Sequence, residues 1–238
     1  MDNLLLIGKD YIDTIMFVDS LKLGETNDCL KLIEKNGGVS NFNEVNMKSW
    51  RSHTKFFGTK KAYIMNDNIE SERTSCVINL EDSSIESDDI EEMNQKYEWI
   101  HVSYVDDLNG YSKLSNLKIQ YSLDFCTSNP REQFLDIMKK ATILFDSRER
   151  KYLYESINMS VPLILHDPSG VEIIINNKSE HQFFNKPLRN LNVNGAGDVF
   201  AAVFLNNYYS FGLRESARLA MIETTKILKN RIKNEQKI

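Results

Sequence analysis

Residues 195–198 read Gly-Ala-Gly-Asp and lead straight into an apolar run, VFAAVFL, ending at residue 205. Val199, Phe200, Val203 and Phe204 fall on one face of a helix, so the tetrapeptide sits at a helix N-terminus. The first N–H groups of a helix have no acceptor within it, and the helix dipole is positive there. Gly195 and Gly197 let the backbone turn sharply and approach a ligand closely. With Ala196 they form an anion hole suited to phosphate, or to negative charge that builds up in a reaction. Asp198 follows in the first turn. A carboxylate beside a phosphate site can take the proton from a hydroxyl that attacks phosphorus. An aspartate there also complements the dipole without doing chemistry, so the four residues alone leave both uses open.

Two other phosphate motifs are excluded. GxxxxGK[ST] occurs nowhere, and GxGxxG fails because Phe200 holds the third glycine position. Lys186 and Arg189 precede the loop at a distance that lets them help hold phosphates. Arg131, after the Asn129-Pro130 turn, reads as a surface arginine at a helix start. Trp50 and Trp99 read as packing residues and His101 as a structural strand residue. The four histidines show no metal-ligand spacing.

The elements that must carry this loop are strands alternating with helices. Short apolar or β-branched runs at 4–8, 99–105, 118–125, 142–145 and 162–166 read as strands, with helices expected at 108–117, 131–140 and 149–157. A hairpin is expected over 171–176 and 181–184, and two helices, 196–209 and 213–229, close the chain. The rhythm predicts an α/β fold: three α/β/α layers around a mostly parallel central sheet. Earlier runs at 15–18, 29–33, 61–65 and 74–80 read as strands of a small second sheet, with a helix over 39–48. The acidic stretch at 81–92 reads as a solvated loop and helix start.

At 238 residues, with 41% apolar and 26% charged side chains, the chain can bury the core of one globular domain. Its net charge of −5, with scattered basic residues, argues against a nucleic-acid surface. No run approaches a membrane span, and the apolar run at 4–7 is too short for a secretory signal. Three dispersed cysteines, Cys29, Cys76 and Cys126, fit reduced thiols in a cytoplasmic protein.

NVNGAGDVFAAVFL resembles the signature of the ribokinase-like carbohydrate kinases, the phosphofructokinase-B family, whose usual form is D-T-x-G-A-G-D-x-F. The core is intact, while Asn192 and Val193 stand where the family has Asp and Thr. Other pieces follow in family order over essentially the whole chain. Asp13 matches an aspartate that binds sugar hydroxyls. GGVSN, from Gly37 and Gly38 to Asn41, matches the G-G-x-x-N of the acceptor site. YSLDF resembles the strand that ends in an aspartate near the phosphates. DSRE matches N-x-x-E, with Asp146 for the asparagine and Glu149 kept. LHDPSG matches T-x-G-x-x-G, with Gly170 kept and Asp167 in the first glycine's place.

The resemblance implies one ribokinase-like kinase domain over 1–238, with a β lid from about 10–36 and 70–82. It implies ATP and Mg²⁺ as cofactors and a small sugar-like acceptor. Asp198 would be the general base, with Gly195, Ala196 and Gly197 as the anion hole. Asp13, Gly37, Gly38 and Asn41 would bind the acceptor. Asp146, Glu149, Gly170 and Asn194 would face the nucleotide, with Glu149 toward the metal. The lid is a candidate homodimer surface. Part of the usual strand and helix between residues 58 and 74 is missing. Two further readings stand beside the sugar kinase: a nucleoside or pyrimidine-alcohol kinase, and a non-catalytic binding protein that keeps the fold. The kinase readings require the Asp198 carboxylate to face a cleft rather than lie sealed in the interior.

Overall fold

In a computed structural model, which describes residues 2–22, 24–67, 73–186 and 193–235, ten strands join one mixed sheet. They are β1 (Asp2–Val18), β2 (Lys31–Gly38), β3 (Trp50–Asp67), β4 (Arg73–Asp82), β5 (Trp99–Val102), β6 (Gln120–Asp124), β7 (Ile143–Ser147), β8 (Leu163–Asp167), β9 (Gly170–Ile175) and β10 (Lys178–Phe184). The order is β10-β9-β8-β7-β6-β5-β1-β3-β4, with β2 also on β1. From β8 to β3 the neighbours run parallel, and the outer pairs are antiparallel.

Both faces of the central strands are covered, as parallel sheets require. On one face Ile100, Val102, Leu123 and Leu144 pack against Ile90 and Met93 of α1 (Ser87–Lys96) and Met138 of α2 (Leu135–Met138). On the other, Trp99, Ile143, Phe145 and Ile164 meet Val199, Phe200, Val203 and Phe204 of α3 (Ala196–Glu235). Trp50 and Trp99 lie in this second core at an edge-to-face angle. The result is a three-layer α/β/α fold. Among the described residues no helix is long and apolar enough to cross a membrane.

Several elements differ from the sequence reading. The runs at 4–8 and 15–18 are parts of one strand, β1, which continues through Lys9, Asp10 and Asp13. Polar residues break the apolar run there, but β2 and β3 on its two sides keep the backbone paired. β3 extends over Trp50–Asp67, so one strand serves the core and then the lid, with no helix between. That accounts for the short middle of the chain; residues 68–72 lie outside the described residues. The helices expected at 39–48, 108–117 and 149–157 are short 3-10 turns, Val39–Glu44, Tyr111–Asn116 and Arg148–Tyr154. The one at 131–140 divides into a 3-10 turn, Arg131–Phe134, and the single α-turn of α2. The last two expected helices are both present: Gly212, with a non-helical φ of 70°, separates them within Ala196–Glu235, labelled α3 as a whole.

The lid is thus an extension of the main sheet. A register shift between Gly8 and Asp10, with Gly58 at φ 124°, bends the two long strands where they leave the core. Ile15, Ala62 and Ile64 make its small apolar centre. At its base Lys9, 3% exposed, reaches Asp82 at 2.8 Å. Lys60 pairs with Asp107, which also accepts from the Tyr11 hydroxyl at 2.8 Å.

Candidate active site

The loop before α3 borders a cleft of about 630 Å³ whose wall includes Gly195, Ala196 and Gly197. Gly195 has φ 73°, and an added Cβ would run into the Asn41 side chain, so only glycine fits both the turn and its neighbour. An added Cβ on Gly197 would lie 3.3 Å from His166. The Ala196 N–H donates to the Val193 carbonyl at 3.0 Å, which commits it to the turn.

Asp198 departs from the open position expected of it. It is 0% exposed and is not on the cleft wall, although Tyr104 and Gly197 on either side are. Oδ2 accepts from the Tyr104 hydroxyl at 2.7 Å and from Asn41 Nδ2 at 3.0 Å. Oδ1 is buried and has no hydrogen-bond partner. Burial pushes the carboxyl up to about 7; the bonds from Tyr104 and Asn41 and the charge of Lys35 oppose this, and Asp13 adds to it. Against the open cleft position that the kinase readings require, the carboxylate is sealed in this structure: Tyr104 and Asn41 hold Oδ2, and Oδ1 is buried as well.

The acceptor residues of the sequence reading gather against this carboxylate. Asn41, 2% exposed, also donates to the Gly38 carbonyl at 2.9 Å and accepts from Lys35 at 3.3 Å. Asp13, 5% exposed, lies on β1 opposite Lys35 of β2. Gly37 leaves the room that the Asp13 carboxylate occupies, and Gly38 turns the chain at φ 58° beneath Tyr11.

The nucleotide-side residues divide. Glu149 is exposed on the cleft wall, and Gly170 lines it too. The glycine at 170 is also required by β10, since an added Cβ would strike the Phe183 carbonyl. Asn194, 2% exposed, does not line the cleft; its carbonyl accepts from Arg231 at 2.8 Å. Asp146 is 0% exposed and off the wall. Its oxygens accept from Arg131 at 2.8 Å, Tyr154 at 2.6 Å, Arg150 at 2.6 Å and its neighbour's amide at 2.7 Å. It is thereby used up as a ligand. Arg131 is no surface arginine: it is 0% exposed, because Asp146 and the Thr127 and Asn129 carbonyls take its donors. Asp167 adds little charge to the cleft. One oxygen accepts from the Ser169 amide and hydroxyl and the Gly170 amide, and Arg148 lies 3.5 Å from the other. Arg189 and Asn192 lie outside the described residues, and Lys186 is not on the cleft wall.

Four cleft residues had no part in the sequence reading of the site or only a passing one. Arg150 follows Glu149 and brings a cation to the wall. His166 stacks on Phe200, and burial holds its imidazole down near 4, so the ring is neutral. Asp124 ends β6 in the wall, where burial and the charges of Asp198 and Asp146 push its carboxyl up against the pull of Arg150. Tyr104 follows β5. All four leave the C-terminal ends of parallel strands, where open α/β sheets place ligands; that rule was the available signal.

No family model matches the chain, and no curated protein sequence matches it. Solved structures do. A nucleoside kinase of Methanocaldococcus jannaschii, described as an archaeal member of the ribokinase family, superposes with a TM-score of 0.71. The two are 15% identical, over 96% of this chain and 92% of that one. Arabidopsis thaliana ribokinase, complexed with ribose and ATP, gives 0.64 at 14% identity over 94% and 91%. A Burkholderia thailandensis nucleoside kinase in complex with inosine gives 0.64 at 12% identity over 93% and 89%. The chain has the ribokinase-like fold.

Proposed function

We propose that this protein is an ATP-dependent kinase whose acceptor is a hydroxyl of a small sugar or of a nucleoside's sugar. The observation that carries the reading is Asp198: a carboxyl at a helix N-terminus, fully buried, with one oxygen unpartnered and no cation hydrogen-bonded to it among the described residues. A buried carboxyl with an unpartnered oxygen is costly to the fold, and perturbed groups of this kind gather at functional sites. A carboxyl poised near 7 is also matched to general-base work at neutral pH. Among the similar structures one holds ribose with ATP and another inosine, a nucleoside that contains a ribosyl group.

In this reading the acceptor lies between Asp13, Asn41 and Gly38 under the lid. Asp198 Oδ1 takes its proton as the alkoxide oxygen bonds to the γ-phosphorus. The bond from that phosphorus to the β–γ bridging oxygen breaks, and its electron pair leaves with ADP. First-turn amides of α3 hold the charge on the transferring group. Arg150 and the neutral His166 face the phosphates from the cleft wall. Mg²⁺ would supply charge neutralisation to the nucleotide. Glu149 suits its water shell as a hard, exposed oxygen donor, whereas Asp146 does not. Among the described residues no group of three acidic, histidine or cysteine side chains forms a metal cage. The lid's outer face, with Leu32 and Ile78 about half exposed beside Tyr63, is the surface proposed to pair two copies.

ADP release with ATP and Mg²⁺ over a panel of sugars, sugar amines and nucleosides tests the reading. Asp198→Asn should stay folded, keep acceptor binding and lose turnover by roughly 10²–10⁴-fold. Unchanged turnover in that variant removes Asp198 from the mechanism. The covering of Asp198 by Asn41 and Tyr104 favours a second reading, a binding protein with no turnover. It predicts no ADP release from any acceptor. If calorimetry also finds no ATP–Mg²⁺ binding at millimolar concentration, the kinase reading falls.

A further inference from the structure

Tyr104 ends β5 in a conformation that its residue type disfavours. Its φ of 55° and ψ of 52° place it in the left-handed region, where a bulky side chain is strained. Such strain persists where surrounding structure holds it, and it concentrates at functional sites. The turn aims the ring at the boundary between the nucleotide cleft and Asp198. Tyr104 lines the cleft, its hydroxyl donates to Asp198 Oδ2 at 2.7 Å, and its ring meets Tyr11 of the lid edge-on at 5.9 Å. Tyr11 in turn is tied through Asp107 to Lys60 at the lid's base.

We propose that Tyr104 is the positioning residue for Asp198: its phenol occupies Oδ2 and screens the carboxylate from the cleft, leaving Oδ1 to take the acceptor's proton. The inference rests on Asp198 being the base. Its geometry stands on the bond, the backbone turn and the place of the ring between cleft and carboxylate. The bond favours the ionised carboxylate, since a hydroxyl can donate to it fully. The other groups facing Asp198 are Asp13 from β1, Lys35 from β2, Asn41 from the turn after β2 and Asp124 from β6. His166 of β8 lies over the adjoining Gly197.

The test uses the full chain and needs no identified acceptor. The Asp198 carboxyl is followed by ¹³C NMR as pH is varied, its signal assigned by its absence in Asp198→Asn. Tyr104→Phe keeps the ring and loses the donor. It should move the titration upward by about one pH unit. Replacing Tyr104 by 3,5-difluorotyrosine gives a stronger donor of nearly the same shape and should move it downward. An acceptor from the kinase panel adds a second readout. The acid limb of kcat/KM should follow the same two displacements, so that at pH 6 Tyr104→Phe loses roughly tenfold more rate than at pH 9. Titrations that coincide in all three proteins overturn the proposal. Should Tyr104→Phe fail to fold, the difluorotyrosine protein decides alone. Loss of turnover in Asp198→Asn with coincident titrations rejects the role of Tyr104 and keeps the base. Full turnover in Asp198→Asn rejects the base, whatever Tyr104 does.

Discussion

Two aspartates, Asp146 and Asp198, are equally hidden from solvent, and their surroundings are opposite. Behind the cleft, Asp146 is clamped by two guanidinium groups, a phenol and an amide. At the start of α3, Asp198 has one phenol, one amide side chain and an oxygen with nothing bound to it. A buried carboxylate whose charge is matched is part of the scaffold. One left short of partners is held at a cost, and such groups gather at functional sites. The motif match pointed to both residues alike, and only their neighbours separate them.

The clamp gives the sharpest way to break this contrast. Arg131→Met leaves Asp146 with a buried charge that Arg150, at the cleft wall, only half answers. The protein should lose about 3–5 kcal/mol of stability, the range for removing one partner of a buried pair. Urea unfolding measures it. Adding Asp146→Asn should restore part of the loss, since the uncompensated charge is then gone. A loss no larger than a surface substitution gives would mean that the arginine is dispensable and the scaffold role of Asp146 wrong.

Asp198 should respond in the opposite sense. Burial lifts its pKa to about 7 in the fold from an ordinary 3.8. Between roughly pH 4 and 7 the folded state keeps a proton that the unfolded chain has released. The stability tied to this group is complete below about pH 4 and declines as pH rises to 7. Above that, the ionised acid remains as a penalty that an amide of the same shape avoids. Asp198→Asn should therefore melt about 2–6 °C higher than the parent at pH 8, what one to two kcal/mol is worth in a chain of this size. At pH 4 the two should coincide. Equal melting temperatures at both pH values would show that the carboxyl is not desolvated.

These contrasts mark what the sequence could disclose. The helix start at 195–198 was legible because glycine placement and the apolar face of Val199, Phe200, Val203 and Phe204 are local facts. So was the crowd around Asn41, through the paired glycines before it. The covering of Asp198 was not, since Asn41 lies 157 residues away and the contact exists only once the sheet has formed. Arg131 misled for a similar reason: burial of a guanidinium depends on a partner, and Asp146 comes from the next strand. Tyr104 carried no mark at all, because tyrosine is an unfavourable residue for a left-handed turn. The lengths of β1 and β3 were hidden by polar lid positions, where pairing on both sides rather than burial keeps the strand extended.

Asp167 stands between the two extremes and gives the smallest effect. It replaces a glycine of the resembled motif and brings a carboxylate to the cleft wall. Ser169 and Gly170 satisfy one of its oxygens in a local turn, and Arg148 lies 3.5 Å from the other. Both side chains are partly exposed, so the ion pair itself adds at most about 1 kcal/mol of stability. In the kinase reading its use is electrostatic: it keeps a negative charge from facing the phosphates. Arg148→Ala should leave the melting temperature within about 2 °C of the parent and weaken ATP–Mg²⁺ binding by roughly two- to fivefold. The weakening should fade as salt is raised, because screening replaces the lost cation. Calorimetry at two ionic strengths checks it. Binding unchanged at low salt would mean that the turn alone hides the charge of Asp167, and that a carboxylate can sit at this wall without any cation beside it.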